Sequence, residues 1–304
     1  MPELASSTWQ VPRLPSPLVS AQWLADHLGA DDLLVVDASV VGYTPPSGGS
    51  GYLSGHEQYI AEGHIPGALF ADLIDDFSDP AGGYPFTRPD AARFASAAGA
   101  LGIGPGTSVV LYDTVHGQWA ARVWWLLRAF GHDAAAVLDG GLTAWRAAGL
   151  PVERGHVEPS PAEFRAAERP ELWVDKAFVE RAVRGEEDVA LVCSVPPKEF
   201  SGEATGPRAR AGVIPGSHSL APVALVDRET RETLPEEELR KLAAPVLGAP
   251  RVVTYCHGGV AAAAAALQLV RLGEPNVAIY DGSLSEWSAD PEAPLETPAV
   301  SRSR

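Results

Sequence analysis

The chain reads as an α/β protein built twice in tandem, each copy a parallel sheet flanked by helices on both faces. Three observations carry this reading. First, motifs recur in the same order at nearly the same offset. His64-Ile65-Pro66-Gly67-Ala68 returns as Val213-Ile214-Pro215-Gly216-Ser217, and Val109-Val110-Leu111-Tyr112-Asp113 returns as Val252-Val253-Thr254-Tyr255-Cys256. Leu138-Asp139-Gly140-Gly141 returns as Tyr280-Asp281-Gly282-Ser283, with Trp145 and Trp287 following at equal distances. The repeat is far too long for a solenoid unit, so it marks duplicated domains. Second, short β-branched strands alternate with helical segments in each copy, which implies a parallel sheet covered on both faces. Third, 304 residues suit two domains of ordinary size better than one core.

Each copy presents its elements in the same order. A helix is expected over 20–28 and a strand over 33–36; their partners are a helix over 174–183 and a strand over 189–192. The Ile-Pro-Gly turn follows, then a strand that runs into a key loop at Asp113 or Cys256. The long helices expected over 120–130 and 261–272 are stopped by Gly131 and Gly273. A last strand leads into the Asp-Gly turn. Trp124, Trp125, Leu126 and Leu127 read as the core face of the first long helix. Gly102-Ile103-Gly104-Pro105-Gly106 precedes a strand, so it is a helix-to-strand turn and not a nucleotide loop. Pro151, Pro159, Pro161 and Pro170 among polar residues suit a linker. The expected division is 17–150, a linker over 151–170, and 171–297.

Composition is that of a soluble globular protein, 46% hydrophobic and 20% charged. A net charge of −16 argues against nucleic acid and anionic membranes as partners. Two cysteines, Cys193 and Cys256, provide no disulfide framework and suit a reducing compartment. The first residues show no basic n-region and no apolar h-region, and the longest apolar stretch, over 260–267, is far too short to span a bilayer. A cytoplasmic protein is expected. The eight histidines lack ligand spacing, so neither a metal nor another cofactor is expected.

Cys256 is the most informative residue. It ends a β-branched strand and opens the loop His257-Gly258-Gly259-Val260, which runs into the alanine run 261–266. The N–H groups of such a loop and the positive end of the following helix both favour an anion. A buried structural cysteine is the commoner fate of a free thiol, but two glycines beside a packing residue serve no core. Asp113 holds the matching place in the first copy and cannot do sulfur chemistry, so one copy is catalytic and the other supporting.

These residues resemble a tandem-domain sulfurtransferase of the rhodanese superfamily, the thiosulfate and 3-mercaptopyruvate sulfurtransferases. The resemblance rests on both Ile-Pro-Gly turns, Tyr112-Asp113, Arg122-Val123-Trp124-Trp125, Leu138-Asp139-Gly140-Gly141, Tyr255-Cys256 and Tyr280-Asp281-Gly282-Ser283, and covers most of 18–297. It implies that Cys256 carries sulfane sulfur as a persulfide, held by the amides of His257, Gly258, Gly259, Val260 and Ala261. The sulfur would come from thiosulfate or 3-mercaptopyruvate and leave to cyanide, a thiol or an acceptor protein. No metal or cofactor is implied.

The chain departs from the family pattern in four places. The loop is nearer to the Cys-Gly-Ser-Gly-Val of mercaptopyruvate enzymes than to the basic loops of thiosulfate enzymes, but Gly258 replaces the serine and His257 is new. Glu199 stands before Phe200-Ser201-Gly202 where the family places an arginine. Cys193-Ser194-Val195 replaces an Asp-x-Arg, and Val213 replaces the histidine of the second Ile-Pro-Gly turn. Lys198, Arg208 and Arg210 are the candidate substitutes for binding the donor's anionic group, and His64 is expected to reach the site between domains. The donor stays open. Cys193 is read first as a buried inert thiol, with a persulfide relay or a protective disulfide with Cys256 as the alternatives.

Other classes fit less well. A cysteine phosphatase needs an arginine where Ala262 stands, and a thioredoxin-like enzyme needs a second cysteine where Gly259 stands. A catalytically weakened binding or regulatory module, or a specialised sulfur donor to a dedicated acceptor protein, is the alternative to a general sulfurtransferase.

Overall fold

The computed structural model describes residues 14–46, 49, 51–204, 206 and 210–298. Arg208, one of the candidate anion-binding residues, lies outside them. The strands, in chain order, are β1 (Leu18–Val19), β2 (Leu33–Asp37), β3 (Val40–Tyr43), β4 (Gly51–Ser54), β5 (Leu69–Phe70), β6 (Ser108–Tyr112) and β7 (Ala135–Leu138) in the first half. In the second they are β8 (Trp173–Val174), β9 (Ala190–Cys193), β10 (His218–Ser219), β11 (Val252–Tyr255) and β12 (Val277–Tyr280). The helices that bear on the site are α1 (Ala21–His27), α2 (His56–Glu62), α3 (Ala91–Ala100), α4 (Gln118–Ala129), α5 (Gly141–Ala147), α6 (Lys176–Val183), α7 (Pro197–Phe200), α8 (Glu236–Ala243), α9 (Val260–Arg271) and α10 (Ser283–Trp287).

Two five-stranded sheets result, ordered β1-β7-β6-β2-β5 and β10-β9-β11-β12-β8, with every pairing parallel. The central strands β6 and β11 are buried at every position, as expected where helices cover both faces. The helices expected over 20–28 and 174–183 form as α1 and α6, capped by Ser20 and Asp175, whose side chains accept from the N–H groups of Trp23 and Phe178. The start of the second segment, Trp173–Val174, is instead strand β8, because it pairs with the edge of β12.

The repeated Ile-Pro-Gly turns have a shared cause. The hydroxyl of the strand tyrosine accepts the isoleucine N–H in each copy: Ile65 to Tyr112 at 3.2 Å and Ile214 to Tyr255 at 3.0 Å. A glutamate beyond each copy's last helix then accepts from the turn glycine, Glu153 from Gly67 and Glu296 from Gly216, each at 2.8 Å. The segment over 151–170 lies along the first sheet's helices, where Ala162, Ala167 and Arg169 donate to Gly99, Phe130 and Ala129.

One apolar core joins the halves, from Val36 through α4 and α9 to Tyr280. Helices α4 and α9 pack directly on one another. The alanine run of α9 makes this possible, since its small side chains leave room for the larger ones of α4. Neither sheet's pattern announces the antiparallel hairpin β3–β4, which projects from the first half. Among the described residues no helix is long and apolar enough to cross a membrane.

Candidate active site

Both key loops leave the C-terminal end of a central strand and turn into a helix through a left-handed glycine. Gly117 (φ 74°) starts α4 and Gly259 (φ 77°) starts α9. At Gly259 a Cβ would lie 2.8 Å from Asp281 Oδ1 and 2.9 Å from Arg122 Nη1, so only glycine fits by either criterion. A Cβ on Gly258 would lie 2.8 Å from the carbonyl oxygen of Pro85, which the first half lays over the loop.

In the first half the cradle is filled by its own side chain. The Asp113 carboxylate accepts from the N–H groups of Val115 (2.8 Å), Gly117 (3.0 Å), Trp119 (2.9 Å) and Ala120 (3.2 Å). In the second half Cys256 stands at that place. The Ser283 hydroxyl accepts from the N–H groups of Cys256 (3.1 Å) and Gly259 (3.2 Å) and donates to the Tyr280 carbonyl. The N–H of Gly259 is therefore taken. Those of His257, Gly258, Val260 and Ala261 have no acceptor among the described residues. Ser283 adopts φ 50°, a left-handed conformation that a non-glycine residue takes at some cost; the first copy has Gly141 (φ 54°) there.

The loop is braced across the domain boundary. Arg122 of α4, fully buried, pairs with Asp281 at 2.7 Å and also donates to the carbonyls of Phe86 (2.8 Å) and Gly259 (3.4 Å). The other oxygen of Asp281 accepts the Arg88 N–H at 2.8 Å. A guanidinium taken out of water stands only with a carboxylate and carbonyls around it, so this pairing fixes the two halves and the loop together.

Cys256, 3% exposed, forms part of the floor of a cleft of about 520 Å³ between the halves. Tyr52 of the β3–β4 hairpin, Phe86 and Trp119 form an aromatic wall, with ring centroids 5.1 to 5.7 Å apart. The Tyr52 phenol is pushed up by burial and then by its nearness to Cys256 and Glu199. His257 and Glu199 line the same cleft and meet at 3.0 Å, Nε2 to Oε2. His116 enters from the first half with Arg231 Nη1 2.9 Å from its Nε2. Arginine can only donate, so Nε2 accepts and the ring proton sits on Nδ1, which makes Nδ1 a donor. Burial and then the Arg231 charge lower the His116 pKa, which keeps this ring neutral.

The other residues expected at the site lie elsewhere. His64 is fully buried at the first Ile-Pro-Gly turn, within bonding distance of the Ile65 and Gly155 carbonyls and stacked on Tyr59, and it does not line the cleft. Arg210 is spent on the carbonyls of Ser288, Asp290 and Ala293, closing the end of the second half. Lys198 is exposed on α7 and does not line the cleft that its neighbour Glu199 lines. Cys193 is fully buried and pairs in register with Tyr255, so its side chain shares the face of Tyr255 and lies on the opposite side of the sheet from that of the next residue, Cys256. Sequence reading missed Tyr52, His116, Arg122 as a brace, and Ser283. The repeat offered a signal for the last, since serine replaces the glycine of the first Asp-Gly-Gly turn.

A family model described as Rhodanese-like domain matches residues 20–148 and 182–290. The human 3-mercaptopyruvate sulfurtransferase is 39% identical over 291 residues, spanning 91% of this chain and 93% of its own length. A protein of Pseudomonas aeruginosa described as a probable 3-mercaptopyruvate sulfurtransferase is 36% identical over 92% of this chain and 98% of its own. The crystal structure of SseA from Escherichia coli, described as a 3-mercaptopyruvate sulfotransferase, superposes with a TM-score of 0.77 at 31% identity, covering 88% of this chain and 98% of that one. With both halves matched and these relatives spanning nearly the whole chain, the chain belongs to the rhodanese family as a tandem-domain sulfurtransferase.

Proposed function

We propose that the protein moves sulfane sulfur from 3-mercaptopyruvate, through a persulfide on Cys256, to a thiophilic acceptor: cyanide, a small thiol or the thiol of an acceptor protein. The observation that carries this reading is the pairing of Cys256 with a ring of unused N–H groups at the floor of an open cleft. The Cys256 thiolate attacks the donor sulfur, the carbon–sulfur bond breaks, and its electron pair leaves with carbon as the enolate of pyruvate, which a proton converts to pyruvate. The N–H groups of His257, Gly258, Val260 and Ala261 then face the persulfide anion. An acceptor attacks the outer sulfur, the S–S bond breaks, and the pair returns to Cys256.

Two considerations favour this donor over thiosulfate. Among the described residues lining the cleft there is no arginine or lysine, which a doubly charged donor would need. The relatives above are also named for 3-mercaptopyruvate. The carboxylate of the donor would meet the His116 Nδ1–H, backed by Arg231. A reducing cytoplasm suits the two free thiols.

The test is turnover with each donor in the presence of cyanide. Thiocyanate formed together with an equal amount of pyruvate is the expected result. Faster thiocyanate formation from thiosulfate, with sulfite as the second product, would overturn the donor assignment.

A further inference from the structure

We infer that the His257 side chain, held by Glu199, delivers the proton that the carbon leaving group requires. The inference rests on the Cys256 persulfide reading and deepens it. His257 follows the nucleophile directly and lines the same cleft. Its Nε2 is 3.0 Å from Glu199 Oε2, with the two side chains 24% and 15% exposed. Its Nδ1 is shielded from solvent and has no partner among the described residues, which leaves one ring nitrogen uncommitted. A carboxylate on one imidazole nitrogen stabilises the protonated ring and fixes its orientation.

The geometry also says why this role falls at 257. A serine at 258 would drive its Cβ to 2.8 Å from the Pro85 carbonyl, because the first half closes tightly over the loop there. The Pro85 carbonyl thus crowds out a side-chain hydroxyl at 258, and the proton-bearing side chain that the loop brings into the cleft is His257. Glu199 replaces a cation in the same cleft. The Glu199 carboxylate is turned toward the imidazole, which it holds at 3.0 Å.

Atoms balance without a further reactant. The thiolate of Cys256 displaces carbon from sulfur, and the carbanion takes the proton of the His257 imidazolium. The ring, now neutral, regains a proton from the next Cys256 thiol to ionise or from water. The groups facing the pair are the Cys256 thiol, the Tyr52 phenol from the hairpin and the His116 imidazole from the first half, with Arg231 behind it.

The experiment separates the two half-reactions in wild type, His257→Asn and Glu199→Gln. Loading is read as the single-turnover burst of pyruvate from 3-mercaptopyruvate. Discharge is read as thiocyanate formed from the loaded, desalted enzyme. Discharge needs no proton on carbon, since cyanide leaves with sulfur and the pair returns to Cys256. For His257→Asn, loading slower by about 100-fold with discharge spared is expected. Glu199→Gln is expected to slow loading less than His257→Asn does, with discharge again spared. Equal slowing of both half-reactions, or loading at the wild-type rate, would overturn the inference. If wild-type Cys256 gains no sulfur from 3-mercaptopyruvate, the persulfide reading with this donor itself fails, which is a separate outcome.

Discussion

The two key loops are one device with different cargo. Around Asp113 four N–H groups close on a carboxylate that the chain supplies for itself. Around Cys256 the loop ends in the same left-handed glycine and the same buried helix, but the side chain is a thiol and much of the N–H ring is unused. An anion-binding turn thus serves as internal cement in one half and, in the function proposed above, as the reaction site in the other. The first half then contributes from outside: Arg122, Tyr52, Phe86, Trp119 and His116 all reach the second half's loop or its cleft. Duplication freed one copy to become the wall and brace of the other.

The comparison breaks most completely at Cys256. Cys256→Ser keeps size and polarity but is expected to reduce sulfur transfer to background, with the thermal midpoint little changed, read by thiocyanate formation and calorimetry. Next in size is the brace. Arg122→Leu leaves the Asp281 carboxylate buried without its partner and is expected to destabilise the protein by about 3–5 kcal/mol in urea unfolding. The double variant Arg122→Leu/Asp281→Leu is expected to recover much of that loss, since it removes the orphaned charge.

A third test uses the neighbouring strand at the same end of each sheet. Asp37 and Cys193 are counterparts, each in register with the strand tyrosine of its half. Burial pushes Asp37 from 3.8 up to about 6. The folded state therefore holds this proton more tightly than the unfolded chain, and its contribution to stability is full below pH 4 and lost as pH rises through 6. The loss amounts to about 3 kcal/mol. Asp37→Asn is expected to flatten that slope in pH-dependent urea unfolding; an unchanged slope would show that other groups set it. The smallest effect is at Ser283. Ser283→Gly gives the second loop the first copy's residue, relieves a left-handed φ and removes the hydroxyl tie to Cys256 and Gly259. Loading is expected to slow about tenfold, the equivalent of one hydrogen bond, while stability changes little.

What was legible in the sequence was local. A β-branched run, a glycine pair and an alanine run are contiguous, so β11, the Cys256 loop and α9 could be read directly, and the repeat doubled each signal. What was hidden depends on residues brought together by the fold. Arg122 looked like part of a core helix because its partner Asp281 is far along the chain, in the other half. Glu199 read as a lost cation and His257 as a loop residue until the structure placed them 3.0 Å apart. Arg210 and His64 carry polar groups that invite a functional reading, yet backbone carbonyls face both. Tyr52 sits on a hairpin whose glycine- and proline-rich connection gives no strand pattern, so the cleft's aromatic wall had no local signature.

The most direct measurement is peptide-level mass mapping after a single turnover with 3-mercaptopyruvate, alkylated under conditions that preserve persulfides. One added sulfur atom on the peptide containing Cys256, and none on the peptide containing Cys193, is the expected result. Sulfur on Cys193, or on neither peptide while pyruvate is released, would contradict the assignment of Cys256 as the carrier.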